Sequence, residues 1–264
     1  MTAPAAQPTP QPPPGRELLA GKVVVVTAAA GTGIGSAAAR RCLEEGAQVL
    51  VSDHHERRLA ETVTALAAEH GDRVAAQPCD VTDDAQVRAL VDAAAGRFGR
   101  LDVMINNAGL GGTRSVLEMT DEEWASVLDV TLNGTFRCTR AALRRMVRQG
   151  SGVVVNNASV IGWRAQAGQA HYAAAKAGVM AFTRCVAMDV AEHGIRVNAV
   201  APSLAMHPFL AKTTSEELLA SLAGKEAFGR AAEPWEVANV MVFLASDYAT
   251  YLTGEVISVS SQHP

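Results

Sequence analysis

The sequence predicts an α/β fold, a single doubly wound parallel sheet of about seven strands with helices on both faces. Two observations carry this. From Lys22 onward, short β-branched runs alternate with longer Ala-rich helical stretches, and no internal repeat interrupts them. The clearest run, Val23-Val24-Val25-Val26, is apolar at every position, as expected when helices cover both faces of a parallel strand. Such alternation implies right-handed crossovers and an open sheet, with ligands bound beyond the carboxyl ends of the strands.

Each element follows in order. After the valine run, Gly33 to Glu45 reads as a helix stopped by Gly46, and Gln48 to Ser52 as a second strand. Glu56 to Glu69 carries Leu59, Val63 and Leu66 at helical spacing, with Gly71 as its stop. A strand around Arg73 to Gln77 leads to Asp83, an N-cap for a helix bearing Val87, Leu90, Val91 and Phe98. Leu101 to Asn106 is the fourth strand, and Thr120-Asp-Glu-Glu123 is a capping box that opens the next helix. The chain continues with strand Val153 to Asn156, a helix from about Tyr172 to Ala191 and strand Ile195 to Val200. A helical segment near Ser215 to Ala223, a helix starting at Pro234 and strand Glu255 to Val259 complete it.

With 264 residues, 48% of them hydrophobic, the chain is long enough for one large core. The domain is expected over residues 19–264, preceded by a disordered Pro-rich leader over 1–18 that holds six of the eleven prolines. The leader lacks the basic and apolar regions of a signal peptide, and no stretch approaches the ~18 apolar residues of a membrane span. A net charge of -4 gives no electrostatic footprint for nucleic acid or an anionic membrane. A cytoplasmic protein with neither partner is expected. Cys42, Cys79, Cys138 and Cys185 are scattered without a CxxC pair, and the seven histidines show no metal-binding spacing, so no metal site is expected.

Three constellations carry chemistry. The first crossover holds Thr27-Ala-Ala-Ala-Gly31-Thr32-Gly33-Ile34-Gly35, whose glycines let backbone amides approach a pyrophosphate at a helix N-terminus, as in dinucleotide-binding (Rossmann) folds. Asp53 ends the second strand about twenty residues on, where a carboxylate accepts from ribose hydroxyls and repels a 2′-phosphate. The pair favours NAD. His54, Arg57 and Arg58 follow at once and keep NADP as the alternative, although the loop itself contains no Lys or Arg. Tyr172 and Lys176, four apart, share a helix face, so the ammonium is expected to pull the phenol's pKa down into the range of a general acid or base. Ser159 ends a strand thirteen positions before Tyr172, placed to hold a substrate oxygen beside the phenol.

The glycine loop, Asp53, Asp80-Val81, Asn106-Asn107-Ala108-Gly109, Ser159 and Tyr172-x-x-x-Lys176, in this order and spacing, resemble the short-chain dehydrogenase/reductase family, over roughly residues 20 to 260. The resemblance implies that Tyr172 is the general acid or base, that Lys176 lowers its pKa and binds the nicotinamide ribose, and that Ser159 orients the carbonyl. It further implies that Asp80 and Val81 flank the adenine, that Asn107, Ala108 and Gly109 line the cofactor channel, that Pro202, Ser203 and Ala205 meet the cofactor, and that the chain assembles as a homotetramer or homodimer.

The sequence departs from the family pattern at four places. The glycine loop has one residue more than usual, so the first-glycine role falls on Ala28 or Gly31. Thr131 stands where a catalytic Asn is usual, with Asn133 two residues out of register; Thr131 is expected to hold a water that links Lys176 to solvent. Pro202-Ser203 replaces Pro-Gly, and His207 replaces a Thr that meets the carboxamide. The last strand ends Val259-Ser260-Ser261-Gln262 in place of Asp-Gly-Gly, a change expected to act at subunit contacts. The Ser-Tyr-Lys trio is intact.

The loops after the fourth, fifth and sixth strands supply Leu110, Trp163, Leu204, Met206, His207, Phe209 and Leu210, and predict a greasy substrate pocket. The glycine-loop phrase, Ser52 to Arg58, and Asn157 to Gln166 resemble a bacterial branch of the family associated with steroid (cholesterol) C/D-ring degradation. That branch interconverts the ring hydroxyl and ketone of a hydroxy-indane propanoyl-CoA thioester; Arg114, Arg164 or Lys212 would then meet CoA phosphates. The alternatives are a 3-oxoacyl thioester (ACP or CoA) reductase and, from another class, a non-catalytic NAD(H)-binding sensor.

Overall fold

Val23–Val26 forms β1, and all four side chains are fully buried. Val24 and Val26 face one apolar layer, Val23 and Val25 the other, which is why the run lacks the alternation of a half-exposed strand. The computed structural model describes residues 6–206 and 216–262, so His207, Phe209, Leu210 and Lys212 lie outside the described residues. It adds β2 (Gln48–Val51), β3 (Val74–Ala76), β4 (Val103–Asn106), β5 (Gly152–Asn157), β6 (Ile195–Pro202) and β7 (Val256–Val259). The order is β3-β2-β1-β4-β5-β6-β7 and every neighbouring pair is parallel. The strand order therefore reverses beside β1, and the crevice lies where β1 and β4 part.

Around the sheet lie α1 (Ile34–Glu44), α2 (Glu56–His70), α3 (Asp84–Phe98), α4 (Asp121–Leu128), α5 (Gly134–Gln149), α6 (Ala170–Val190), α7 (Glu216–Ala223) and α8 (Pro234–Ala245). Ala38 of α1, Leu59 of α2 and Met241 of α8 pack on one face; Leu90 of α3 and Met146 of α5 pack on the other. The expected caps form. Asp83 accepts from the N–H groups of Ala85 and Gln86, Thr120 and Glu123 complete their capping box, and Pro234 opens α8. Between α4 and α5 the chain widens into a π turn over Asp129–Asn133, a helix irregularity common at functional sites.

Part of the leader within the described residues is tied to the body of the fold. Arg41 of α1 donates to the carbonyls of Pro13 and Pro14 and pairs with Glu45, which is fully buried and also accepts from the N–H groups of Arg16 and Leu18. Gly15 comes so close that a Cβ there would lie 2.2 Å from the Glu44 carbonyl oxygen, and the Gln7 N–H reaches the Phe228 carbonyl at 2.9 Å. Prolines lack an N–H but keep a carbonyl, so a proline-rich strand still serves as an acceptor rail for a buried guanidinium.

Candidate active site

The glycine loop turns sharply out of β1. Ala28 adopts φ +49° and Gly31 φ +87°, so both candidates for the first-glycine role are left-handed, Ala28 despite its Cβ. A Cβ on Gly35 would lie 2.3 Å from the Ala28 carbonyl oxygen and 2.4 Å from Asn107 Nδ2, which explains the glycine. Gly31 and Gly33 have open space around them, and no side chain caps α1 at Gly33. The helix therefore presents its N-terminal dipole to an anion. Asp53, 6% exposed at the end of β2, accepts from the N–H groups of Ala30 (3.3 Å) and His55 (2.9 Å) and so sits against this loop. His54 and Arg58 approach the same carboxylate at 3.4 and 3.9 Å, whereas Arg57 pairs with Glu61 on the exposed face of α2. Asp80 is exposed and bonded to Thr82, and Val81 is buried against Gly134.

Ser159, Tyr172 and Lys176 come together beyond the carboxyl ends of β5 and β6. The Ser159 hydroxyl accepts from the Ile161 N–H at 3.2 Å, which leaves its proton to donate, and it bonds to the Tyr172 phenol. Lys176, 3% exposed, donates from Nζ to the Asn157 carbonyl at 2.5 Å, and Nζ lies 5.6 Å from the centre of the Tyr172 ring. Gly109 lies beside this group, at a distance where a Cβ would sit 3.5 Å from Nζ in ordinary contact. Burial pushes the Tyr172 phenol above its usual value while the Ser159 hydrogen bond pulls it down, and burial lowers the Lys176 ammonium to about 8. The direction for Tyr172 is opposite to the sequence expectation: the ammonium is turned to a carbonyl, and desolvation outweighs the Ser159 hydrogen bond.

An amide ladder runs beneath these groups. Asn157 Nδ2 donates to Asn107 Oδ1, and Asn107 Nδ2 donates to the carbonyls of Thr27 and Ala28, so the strand carrying Lys176's acceptor is tied to the glycine loop. A deeper set, Asn106 to Thr139 and Asn156, and Asn156 to Thr183, is fully enclosed. The Asn107 and Ala108 N–H groups both bond to Thr27 Oγ1. Thr131, fully buried in the π turn, donates to the Leu110 carbonyl and accepts from the Leu110 N–H, each at 3.0 Å. Its single proton is thus committed, and the hydroxyl clamps Leu110 where a water relay is expected from the sequence. Asn133 is exposed and bonded to Asp129, away from the site.

Ser159 and Tyr172 line a cleft of about 650 Å³ whose other walls include Ile34, Pro202 to Ala205 and Leu222. Over residues 28–261 the chain matches the family described as "Enoyl-(Acyl carrier protein) reductase". It is 67% identical, over 95% of its length and 96% of the relative's, to the (5R,7aS)-5-hydroxy-7a-methyl-1-oxo-2,3,5,6,7,7a-hexahydro-1H-indene-carboxyl-CoA reductase of Mycobacterium tuberculosis. A crystal structure of a short chain dehydrogenase from Mycobacterium smegmatis superposes with a TM-score of 0.87 at 56% identity, over 97% of this chain and 99% of that one. The chain belongs to the short-chain dehydrogenase/reductase family. At 37% identity, over 92% of the chain and 97% of the relative, it is also similar to the 3-oxoacyl-[acyl-carrier-protein] reductase of Vibrio cholerae.

As a short-chain dehydrogenase/reductase the chain is an NAD(P)-dependent oxidoreductase, and its residues fit that cofactor: open glycines, an uncapped helix N-terminus and a sheltered carboxylate stand in one crevice. The pocket residues divide. Leu204 lines the cleft, whereas Leu110 and Trp163 are 36% and 42% exposed and lie outside that lining, as does Met206. Ile34, Val160, Ile161 and Leu222 add apolar wall, and Arg164, Gln166, Lys225, Glu226 and Gln262 share the lining with them. Two of these, Lys225 and Glu226, follow α7 and have no motif to mark them, whereas Gln262 belongs to the altered chain ending. His171, 3% exposed, was also missed; its Nδ1 accepts from the Tyr172 N–H at 2.9 Å. Among the described residues no cluster of metal-ligating side chains occurs, and no helix is long and apolar enough to cross a membrane.

Proposed function

We propose that the chain is an NAD-dependent dehydrogenase that interconverts a ring hydroxyl and a ketone on a steroid-derived bicyclic indane CoA thioester. The observation that carries the chemistry is the Ser159–Tyr172 pair at the foot of the cleft with Lys176 buried one helical turn away. The substrate class rests on the Mycobacterium tuberculosis relative, whose name specifies a hexahydroindene-carboxyl-CoA.

The nicotinamide supplies or accepts the hydride when bound. Gly31 to Gly35 would hold its pyrophosphate, Asp53 the adenosine ribose, Asp80 and Val81 the adenine, Asn107 to Gly109 the channel wall, and Pro202, Ser203 and Ala205 the carboxamide end. Tyr172 gives its phenolic proton to the carbonyl oxygen during reduction and takes it back during oxidation. Ser159, its rotor fixed by the Ile161 N–H, donates to the same oxygen. Lys176 as a cation stabilises the phenolate that Tyr172 becomes. Asp53 favours NAD because a 2′-phosphate beside it would meet a carboxylate already held against the loop.

The protein is further taken as a cytoplasmic homotetramer or homodimer. Phe136, Val147 and Phe182 line a groove between α5 and α6, and Phe136 and Val147 are 40% and 38% exposed. The test is turnover of the hydroxy-indane CoA thioester with NAD and with NADP, read by reduced nicotinamide. Oxidation with a higher kcat/KM for NAD supports the proposal, and absence of turnover with either cofactor overturns it.

A further inference from the structure

The helix that carries Tyr172 begins without a side-chain cap at its usual place. Gln169, at the N-cap of α6, makes no side-chain bond to the helix and donates from Nε2 to Thr113 Oγ1 at 3.1 Å instead. The first intrahelical bond runs from the Ala173 N–H to the Gln169 carbonyl at 2.8 Å, so the Tyr172 N–H falls among the donors that a helix start leaves unpaired. His171 takes it on Nδ1 at 2.9 Å. The imidazole is 3% exposed, and the loop after β4 lies over it: a Cβ on Gly112 would sit 3.6 Å from Nε2, and one on Gly111 would sit 3.6 Å from the Tyr172 ring. That loop is fastened on both sides, by Thr131 at Leu110 and by the Arg114 N–H, which reaches the Gly168 carbonyl at 2.9 Å.

We propose that His171 is a positioning residue for the reaction: its neutral imidazole stands in for the missing cap, holds the first turn of α6 and so sets the Tyr172 phenol beside Ser159. The proposal rests on Tyr172 as the proton donor of the reaction given above. An Nδ1 that accepts is unprotonated, so the ring proton sits on Nε2. A second proton would turn Nδ1 into a donor facing the Tyr172 N–H, and would place a cation at the start of a helix, where the dipole opposes it. The charged groups around the ring are already engaged. Glu123 of α4, within reach of a charge on His171, accepts from the Thr120 N–H and pairs with Arg114 at 3.1 Å. Asp121 and Glu122 are exposed on the first turn of α4, Asp129 of the π turn pairs with Arg137, and Lys176 of α6 itself is turned to the Asn157 carbonyl.

The experiment measures turnover of the hydroxy-indane CoA thioester across pH for wild type, His171→Ala and His171→Asn. Asparagine carries its acceptor as many bonds from the backbone as Nδ1 does, and it does not titrate. His171→Ala should lower kcat about tenfold, because a phenol displaced by a fraction of an ångström loses its alignment. NAD affinity should stay within about twofold. His171→Asn should keep most of kcat, and the wild-type rate divided by the asparagine rate should fall several-fold as pH drops from about 8 to about 5, the range in which histidines gain a proton. An alanine variant as fast as wild type, an asparagine variant as slow as alanine, or a ratio that stays flat with pH would each overturn the proposal. Should alanine fail to fold, the ¹⁵N spectrum of selectively labelled histidine in the wild-type chain decides: an unprotonated Nδ1 on His171 supports the proposal and a proton there overturns it. If the wild-type chain does not turn over the thioester, the substrate reading falls alone, and hydrogen exchange of the Tyr172 amide decides the inference: slow exchange in wild type and asparagine with fast exchange in alanine supports it, equal exchange in all three overturns it.

Discussion

The floor of the cleft and its outer wall are held by different kinds of bond. On the floor, side chains bond to backbone carbonyls at the ends of neighbouring strands: Lys176 to Asn157, Asn107 to Thr27 and Ala28. On the wall, side chains bond to one another across long stretches of chain, as Glu226 does with Ser261 and Gln262. Carbonyl positions at strand ends follow from sheet register, so the floor is fixed once the sheet forms. The wall depends on which residues happen to face each other. Chemistry therefore sits where geometry is inherited from the fold, and specificity where side chains are free to differ.

The sharpest way to break the comparison is at the floor. Tyr172→Phe keeps the ring and removes the proton, so kcat/KM should fall by about 10²–10⁴. NAD affinity, measured by fluorescence titration, should change little; a comparable loss from any single wall substitution would erase the distinction between floor and wall.

Lys176 gives the next largest effect, through pH. Its ammonium is charged below about 8, so if the charge stabilises phenolate, the reduction rate should fall as pH rises through about 8. Lys176→Arg, which stays charged, should remove that alkaline limb in whatever activity remains. Stability runs the other way. The folded pKa lies below the unfolded value of 10.5, so the unfolded chain binds more protons between about 8 and 10.5, and stability should rise with pH in that window. Urea titrations at pH 7.5 and 9.5 on wild type and Lys176→Met would show the rise in the first and its absence in the second.

Asn107→Ala cuts the ladder in its middle, leaving the Thr27 and Ala28 carbonyls and the Asn157 amide without their partner. The expected destabilisation is about 2 kcal/mol, read by chemical unfolding. Removing residues 1–15 strips the carbonyls of Pro13 and Pro14 from Arg41 but opens the site to water, so a smaller loss of about 1 kcal/mol is expected, with kcat unchanged.

The same contrast explains what was legible in the sequence. Val23–Val26 and the capping box at Thr120 are local patterns, and the structure places them as read; Tyr172 and Lys176 share one helix as their spacing requires, but the ammonium turns to the Asn157 carbonyl. Boundaries shifted slightly, as when β6 runs on to Pro202, because pairing with β7 extends it. The contacts of the leader and of Glu226 were hidden for one reason: Arg41, Glu45 and Glu226 look like ordinary polar positions until the fold buries them against segments distant in sequence. The bond of Thr131 to Leu110 was not legible either, since the π turn, which no local pattern announces, aims its hydroxyl there.

The smallest effect tests the far end of the ladder. Ala28 sits at φ +49°, a conformation that costs an alanine about 1 kcal/mol or more relative to glycine. A glycine there removes that cost but frees the unfolded chain, which offsets roughly 0.4–1 kcal/mol. Ala28→Gly should therefore raise stability by no more than about 1 kcal/mol. If the Asn107 amide is what holds the Ala28 carbonyl in place, the gain should vanish in the Asn107→Ala background, where the loop can relax around its alanine. Additive effects of the two substitutions in a double-mutant cycle would mean that the turn is held by β1 and α1 alone, and that the ladder ends at Asn107.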